Sequence, residues 1–320
     1  MTSVHFKSIR DYEFTVALKN RNNLGVSSQK QYISNYKKMR QQMIYPITEL
    51  SEIEIIDFLK NSEMKPETKN SWLNVILMVR RYKKVSVDKL LFYRGYREYQ
   101  DDGTYKMIGG ELNQDIQVHK MESKEKVSKE LPTMKDLNDH LTSLYKSKKY
   151  RDYIINYLLV NYGVRNKDLD IVITKDKKVI SNTQKNKDNY QKNYLYVVKS
   201  YVWFICNEYK TASTFGRKKI KIRNTSFQRS VNGFIGTGEK KLLVNTIAGT
   251  TIKNDAGIAK VVQEKTFNKI GEGKIFKVII KDILNEPNAK VRENRLRSIS
   301  ETRGTSIGTI LQSYAVDVPV

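Results

Sequence analysis

From about residue 25 to 98, apolar and polar positions follow a helical period. SSQKQYISNYKKMRQQM offers Ser27 or Ser28 as a cap and brings Tyr32, Tyr36, Met39 and Met43 onto one stripe at three- and four-residue spacing. SEIEIIDFLKNS sets Ser51 and Glu54 at capping-box spacing. KPETKNSWLNVILMVRRYKK repeats the stripe with Trp72, Val75, Ile76, Val79 and Tyr82, and SVDKLLFYRGYREY predicts a further helix. Four short amphipathic helices with basic outer faces make a small bundle.

The pattern then lapses. Residues 99–130 are polar, contain a Gly-Gly pair and hold no sustained period, which predicts a linker with room for some local structure. LPTMKDLNDHLTSLYKSKKY opens a second domain with Thr133 and Asp136 as a cap, and RDYIINYLLVNYG is an apolar helix stopped at Gly163. Beyond Arg165 the period becomes strand-like in DIVIT, NYLYVV, YVWFICNEY and KKIKIRN, predicting a small antiparallel sheet, a three-stranded meander. Helical patterns return from about 239. The expected architecture is mainly α with that sheet (α+β): an arm over 1–24, the bundle over 25–98, the linker over 99–130 and a second domain over 131–320.

Composition adds a partner to this outline. Lysine and arginine number 58 against 34 acidic residues, a formal charge of +24, so a polyanion is the first partner to consider. An AT-rich coding sequence would enrich Lys but would supply acidic codons too, so it leaves the imbalance unexplained. Residues 131–230 hold 21 basic and 8 acidic side chains, so the sheet and its flanking helices carry just over half of the excess. Two runs stand out as candidate DNA contacts: Arg80, Arg81, Lys83 and Lys84 in RRYKK, and Arg217, Lys218 and Lys219 in GRKKIKIR. Each also reads as an ordinary solvated charge run.

The remaining chemistry is sparse. A single cysteine, Cys206, gives no intramolecular disulfide framework, and His5, His119 and His140 are too scattered for a conventional zinc site. Cys206 and His140 read as structural, and no metal or cofactor is expected. The start MTSVHFKSIRDYEF lacks a signal-peptide core, and no uncharged apolar run approaches the roughly 18 residues of a membrane span. The expectation is a soluble, intracellular protein.

Three stretches resemble motifs of the tyrosine recombinases, the phage-integrase superfamily, whose layout of helical core-binding bundle, linker and helices around a basic meander is also similar. NYGVRNKDLDIVI resembles the Gly-x-Arg-x-x-Glu segment through Gly163, Arg165 and Asp168. NEYKTASTFGRKKIKI places Lys210 in the turn where the family has its catalytic lysine. ENRLRSISET resembles the His-x-Leu-Arg box, with Arg297 as second arginine and Asn294 where the family has histidine. Tyr314 is the one tyrosine after Arg297; it follows 17 residues on, nearer than in the family, and no Gly-His pair intervenes.

The resemblance implies metal-independent cleavage and rejoining of double-stranded DNA, as in a viral or mobile-element integrase or resolvase, by a tetramer on two sites. It implies Arg165 and Arg297 on the phosphate oxygens, Lys210 as general acid to the leaving 5′ oxygen, Asn294 at the histidine position and Tyr314 as nucleophile. Planar guanidinium forks suit a phosphorane's non-bridging oxygens, and a phosphotyrosyl ester conserves the bond energy for rejoining. Plainer readings stand beside these. Arg165 can pair with Asp168, Arg297 can belong to a basic face shared with Arg292, Arg295 and Arg303, Arg295 is the partner if the register is off by two, and Tyr314 can pack in the core. A catalytically inactive two-domain DNA-binding protein on the same fold is the alternative.

Overall fold

The protein is described here by a computed structural model covering residues 9–21, 24–42, 46–99, 105–180, 193–243 and 255–315. Its contacts divide into two compact units, Met1–Lys124 and Glu125–Val320.

In the first unit α1 (Ile9–Lys19), α2 (Val26–Gln42), α3 (Glu52–Asn61), α4 (Pro66–Tyr82) and α5 (Asp88–Arg94) pack around one core. The stripe on α2 buries Tyr36 and Met39, and the Tyr36 ring stacks on Phe14 of α1 at 4.0 Å. Met43 lies outside the described residues. Helix α3 begins on the expected capping box, with the Ser51 hydroxyl accepting from the Glu54 N–H and the Glu54 carboxylate accepting from the Ser51 N–H. Helix α4 is the centre of the unit: Trp72, Val75, Ile76 and Val79 are buried, while Tyr82 at its end is exposed.

Two segments outside the four expected helices carry secondary structure. The arm over 1–24 contains α1, whose Phe14 and Ala17 are part of the core. The linker over 99–130 contains secondary structure: β1 (Tyr96–Tyr99) pairs antiparallel with β2 (Tyr105–Ile108), and α6 (Glu111–Lys129) follows. The apolar period of α6 is weak, and Leu112 and Ile116 alone of its described residues reach the core, so no stripe marks it in the sequence.

Arg80 is corrected. It is 3% exposed and serves the bundle, since its Nε donates to the Ser86 carbonyl at 2.8 Å and its Nη1 to those of Ile47 and Leu50 at 3.0 and 2.6 Å. Burial lowers its pKa, with Glu52 opposing. Arg81, Lys83 and Lys84 are exposed, and Lys83 pairs with Glu13 at 2.8 Å.

The second unit opens with α7 (Met134–Lys146), capped by Thr133 and Asp136 as expected, and α8 (Tyr150–Tyr162). Helix α8 ends at Gly163 in the left-handed region, φ 57°. A Cβ there would stand 2.6 Å from Phe276 Cε2 and 3.0 Å from Ile299 Cδ1, so both the turn and the packing require glycine.

A single 3-10 turn, Asn166–Leu169, leads into a four-stranded sheet of β3 (Ile171–Thr174), β4 (Asn193–Val197), β5 (Val202–Cys206) and β6 (Lys218–Ile222), in that order. The last three strands form the expected antiparallel meander, but β3 adds to its edge in parallel, with Ile171 opposite Asn193. Strand β4 is covered on both faces. Leu195 and Val197 enter the main core, and Tyr194 and Tyr196 form a second cluster with Val179 and Ile205.

Helix α9 (Ala212–Phe215) interrupts the β5–β6 connection, and α10 (Thr225–Gly236), α11 (Asp255–Gln263), α12 (Glu272–Leu284), α13 (Ala289–Arg303) and α14 (Ile307–Tyr314) complete the unit. Ile275, Phe276, Ile279 and Ile283 of α12 meet Ile154, Leu158 and Leu159 of α8 in the core. Among the described residues no helix is long and apolar enough to cross a membrane, and no three His, Cys, Asp or Glu side chains gather as a metal site.

Candidate active site

The turn after Gly163 sets up the site. The Arg165 N–H donates to Asp168 Oδ2 at 2.9 Å, closing the 3-10 turn and leaving the guanidinium free to point away from it. Asp168 is buried and its Oδ1 has no hydrogen-bond partner; burial raises its pKa, against the pull of Arg165 and Arg303. Asn193 steadies the other side of the turn, its Nδ2 donating to the Asp168 carbonyl at 3.1 Å and the Glu208 carbonyl at 2.8 Å.

The Arg165 guanidinium reaches the end of α13, where Nη1 donates to the Arg303 carbonyl at 2.6 Å. Arg303 itself is 3% exposed. Its Nη1 donates to the Gly163 carbonyl at 2.5 Å, and its Nη2 donates to Glu272 Oε1 at 2.6 Å and to the Tyr314 hydroxyl at 3.2 Å. The guanidinium lies 3.8 Å over the Phe276 ring, which meets the Tyr314 ring edge-on at 4.7 Å.

Lys218 closes a third side. Its Nζ donates to the Glu301 carbonyl at 2.5 Å and the Thr302 carbonyl at 3.3 Å, and it sits 4.4 Å above the Tyr209 ring. Gly304 makes this approach possible: at φ 64°, a Cβ would come within 2.5 Å of Lys218 Nζ and 2.9 Å of Thr211 Oγ1. Burial lowers the Lys218 pKa, as it does that of Arg165, and Arg303 depresses Arg165 further. Three cations thus share a part-buried site with Glu272 and with Asp168, whose negative charge burial disfavours. Such a site favours an added anion.

The candidates fall on both sides of this cluster. Arg165 and Tyr314 are brought to it, joined through Arg303, and Lys218 belongs to it although the sequence placed it among the DNA contacts outside the catalytic set. Lys210 is exposed in the turn after β5. Asn294 is exposed on α13, and Arg297, with a side chain 63% accessible, pairs with Glu293 at 3.0 Å. Arg297 lies six positions before Arg303, about 9 Å along the axis and about 120° around it, so the two leave different faces of α13. Arg295 turns to Asp282 at 2.6 Å. Arg217 donates to the Val179 carbonyl, and Lys219 is exposed.

The sequence reading missed Arg303 and Glu272. The signal for Arg303 is its place just before Gly304, which ends α13 in the left-handed region as Gly163 ends α8. Nothing local marks Glu272.

No family model and no curated protein matches the sequence. Among solved structures the chain is similar to the crystal structure of XerA recombinase at 10% identity and a TM-score of 0.35, over 95% of this chain and 93% of that one. A likeness that loose assigns no role to any residue, and the chemistry rests on the side chains themselves.

Proposed function

We propose that the chain breaks and rejoins DNA strands through a tyrosine nucleophile. The observation that carries this reading is the contact of the Tyr314 hydroxyl with Arg303, to which Arg165 is also bound. In the proposed reaction Tyr314 releases its hydroxyl proton to water, its oxygen bonds to a backbone phosphorus and the bond to the 5′ oxygen breaks, giving a 3′-phosphotyrosyl ester. Arg165 and Arg303 hold the non-bridging oxygens. Lys218, held at part-buried depth beside them, gives its proton to the leaving 5′ oxygen, a role the resemblance gave to Lys210. Rejoining is the reverse. The substrate class, duplex DNA, is supported by the charge of +24, and assembly on two DNA sites belongs to the same reading.

A second reading has an observation of its own. Both terminal nitrogens of Arg303 are already engaged, on Gly163, Glu272 and Tyr314, as those of a purely structural arginine would be. On that reading the protein binds DNA without cutting it. A duplex carrying a nick beside the scissile position separates the two: the enzyme leaves a denaturation-resistant protein–DNA adduct that Tyr314→Phe abolishes, whereas the binding protein shifts the duplex in a gel and leaves no adduct.

A further inference from the structure

The first unit contains a groove that the strand-cleavage chemistry does not use. It lies between α4, the end of α5, the β1–β2 hairpin and the first turns of α6, with a volume of ≈ 1080 Å³. Its α4 side offers a ligand little, since Asn70 Oδ1 is buried and Asn74 Oδ1 accepts from Arg94 Nη1 at 3.2 Å. Its α6 side is open. Asn113, Gln114, Gln117, Val118 and Met121 fall on one face of that helix, and all but Asn113 are exposed. The face runs about 12 Å along the axis, the length of about four residues of extended chain.

Opposite α6 stands a cation without a counter-ion. Arg94 is half-buried, and burial lowers its pKa; the charges of Arg81 and Arg21 lower it further, and Tyr32 alone opposes. Among the described residues no carboxylate pairs with Arg94, and none lines the groove. Arg97, exposed on β1, adds a second positive charge to the lining. A guanidinium drawn part-way out of water without an opposite charge is costly, and an acid carried in by a ligand offsets that cost.

These features select among ligands. A carboxamide presents a donor and an acceptor side by side, as a peptide group does, so Asn113, Gln114 and Gln117 suit the main-chain N–H and C=O groups of an extended peptide. Side chains alternate to opposite sides of such a peptide. Acidic ones on one side meet Arg94 and Arg97 of the α5–β1 segment, and aliphatic ones on the other meet Val118 and Met121, both exposed apolar side chains of α6. Duplex DNA is a poor match, because its base edges are themselves recessed in a groove. We propose that this groove binds an extended acidic segment of a partner protein, with about four residues in contact and main-chain pairing on α6. The inference is independent of whether the second unit cuts DNA.

The test is fluorescence anisotropy with the full-length protein, in about 0.15 M salt to screen loose charge attraction. The probe is a labelled hexapeptide, capped at both ends, that alternates aspartate and leucine. A second peptide of the same sequence carries a methyl group on every other main-chain nitrogen, which keeps the charge and removes those donors. The first is expected to bind saturably and the second about tenfold more weakly or worse. Arg94→Gln should weaken binding of the first about 10- to 150-fold, the worth of a hydrogen bond between charged groups, and Gln117→Ala about 2- to 10-fold. Met121→Asp, which sets a like charge beside the ligand, should also weaken it. Gln117 and Met121 are exposed, so those two variants carry the test if Arg94→Gln fails to fold. Absence of saturable binding, equal affinity for the methylated peptide, or unchanged affinity in the Gln117 and Met121 variants overturns the inference. Displacement of the peptide by an equal concentration of single-stranded oligothymidine also overturns it, and assigns the groove to nucleic acid.

Discussion

Arg303 and Tyr314 are held together by a 3.2 Å hydrogen bond, and both pack on the same ring, Phe276. The hydroxyl is the polar part of that arrangement and the ring the apolar part, so the two can be separated by substitution. Tyr314→Phe keeps the edge-on contact and removes one part-buried hydrogen bond. It should abolish the covalent DNA adduct while changing unfolding free energy by only about 0.5–1.5 kcal/mol in urea titration. An adduct of undiminished yield would move the nucleophile elsewhere.

The two arginines of α13 should behave very differently. Arg303→Ala leaves Glu272 without its partner inside the unit, and the loss expected for breaking a buried pair is about 3–5 kcal/mol. Arg297→Ala removes an exposed i,i+4 pair with Glu293 and should change stability by no more than about 0.5 kcal/mol. Chemical denaturation of the two variants side by side checks the contrast. Equal effects would mean that the Arg303–Glu272 contact contributes no more than a surface pair.

Arg80 provides a test confined to the first unit. Its side chain satisfies three carbonyls from two loops, so Arg80→Ala should destabilise that unit by about 2–4 kcal/mol, since carbonyls buried without a donor are costly. Lys84→Ala, at an exposed position, should be close to neutral. Hydrogen exchange resolved along the chain reads both: faster exchange should spread through α3 and α4 in the first variant only.

His140 should make stability depend on pH. Burial lowers its pKa below the usual 6.5, with Asp152 and a bond to the Lys265 backbone opposing and Lys149 reinforcing, and its ring meets Phe267 edge-on. The folded state therefore holds this proton less tightly than the unfolded chain. Its contribution is fully present above 6.5 and is lost as pH falls through the lower folded value. Melting temperatures measured downward from pH 7.5 should fall more steeply below that point for the wild type than for His140→Gln. Parallel curves would place the acid sensitivity on other groups.

What the sequence disclosed depended on how far apart the cooperating residues lie. The capping boxes at Ser51–Glu54 and Thr133–Asp136 and the glycine stop at 163 were legible because each is completed within a few residues. The parallel addition of β3 to β4 was not, since a meander and a mixed sheet share one alternation pattern and differ only in which edge is used. Arg80 sat in a run of charges and had the composition of a surface; only the carbonyls of Ile47 and Leu50, some thirty residues away, reveal its place. Arg165 meets Arg303 across 138 positions, and in RLRSISETRG the one local mark that separates Arg303 from Arg297 is the glycine after it; that it faces inward is settled only once α13 is wound.

Helix α14 is short, and among its described residues Ile310 alone is fully buried; Ser306 caps one end and Tyr314 is the last residue of the other. A single aliphatic side chain is worth about 1.5–3 kcal/mol when shielded from water. Lifting the segment off the body of its unit forfeits that anchor, the partial burial of Ile307 and Tyr314, the edge-on contact with Phe276 and the Arg303 bond. The Tyr314 hydroxyl thus stands at the end of a helix that a handful of contacts hold to the unit.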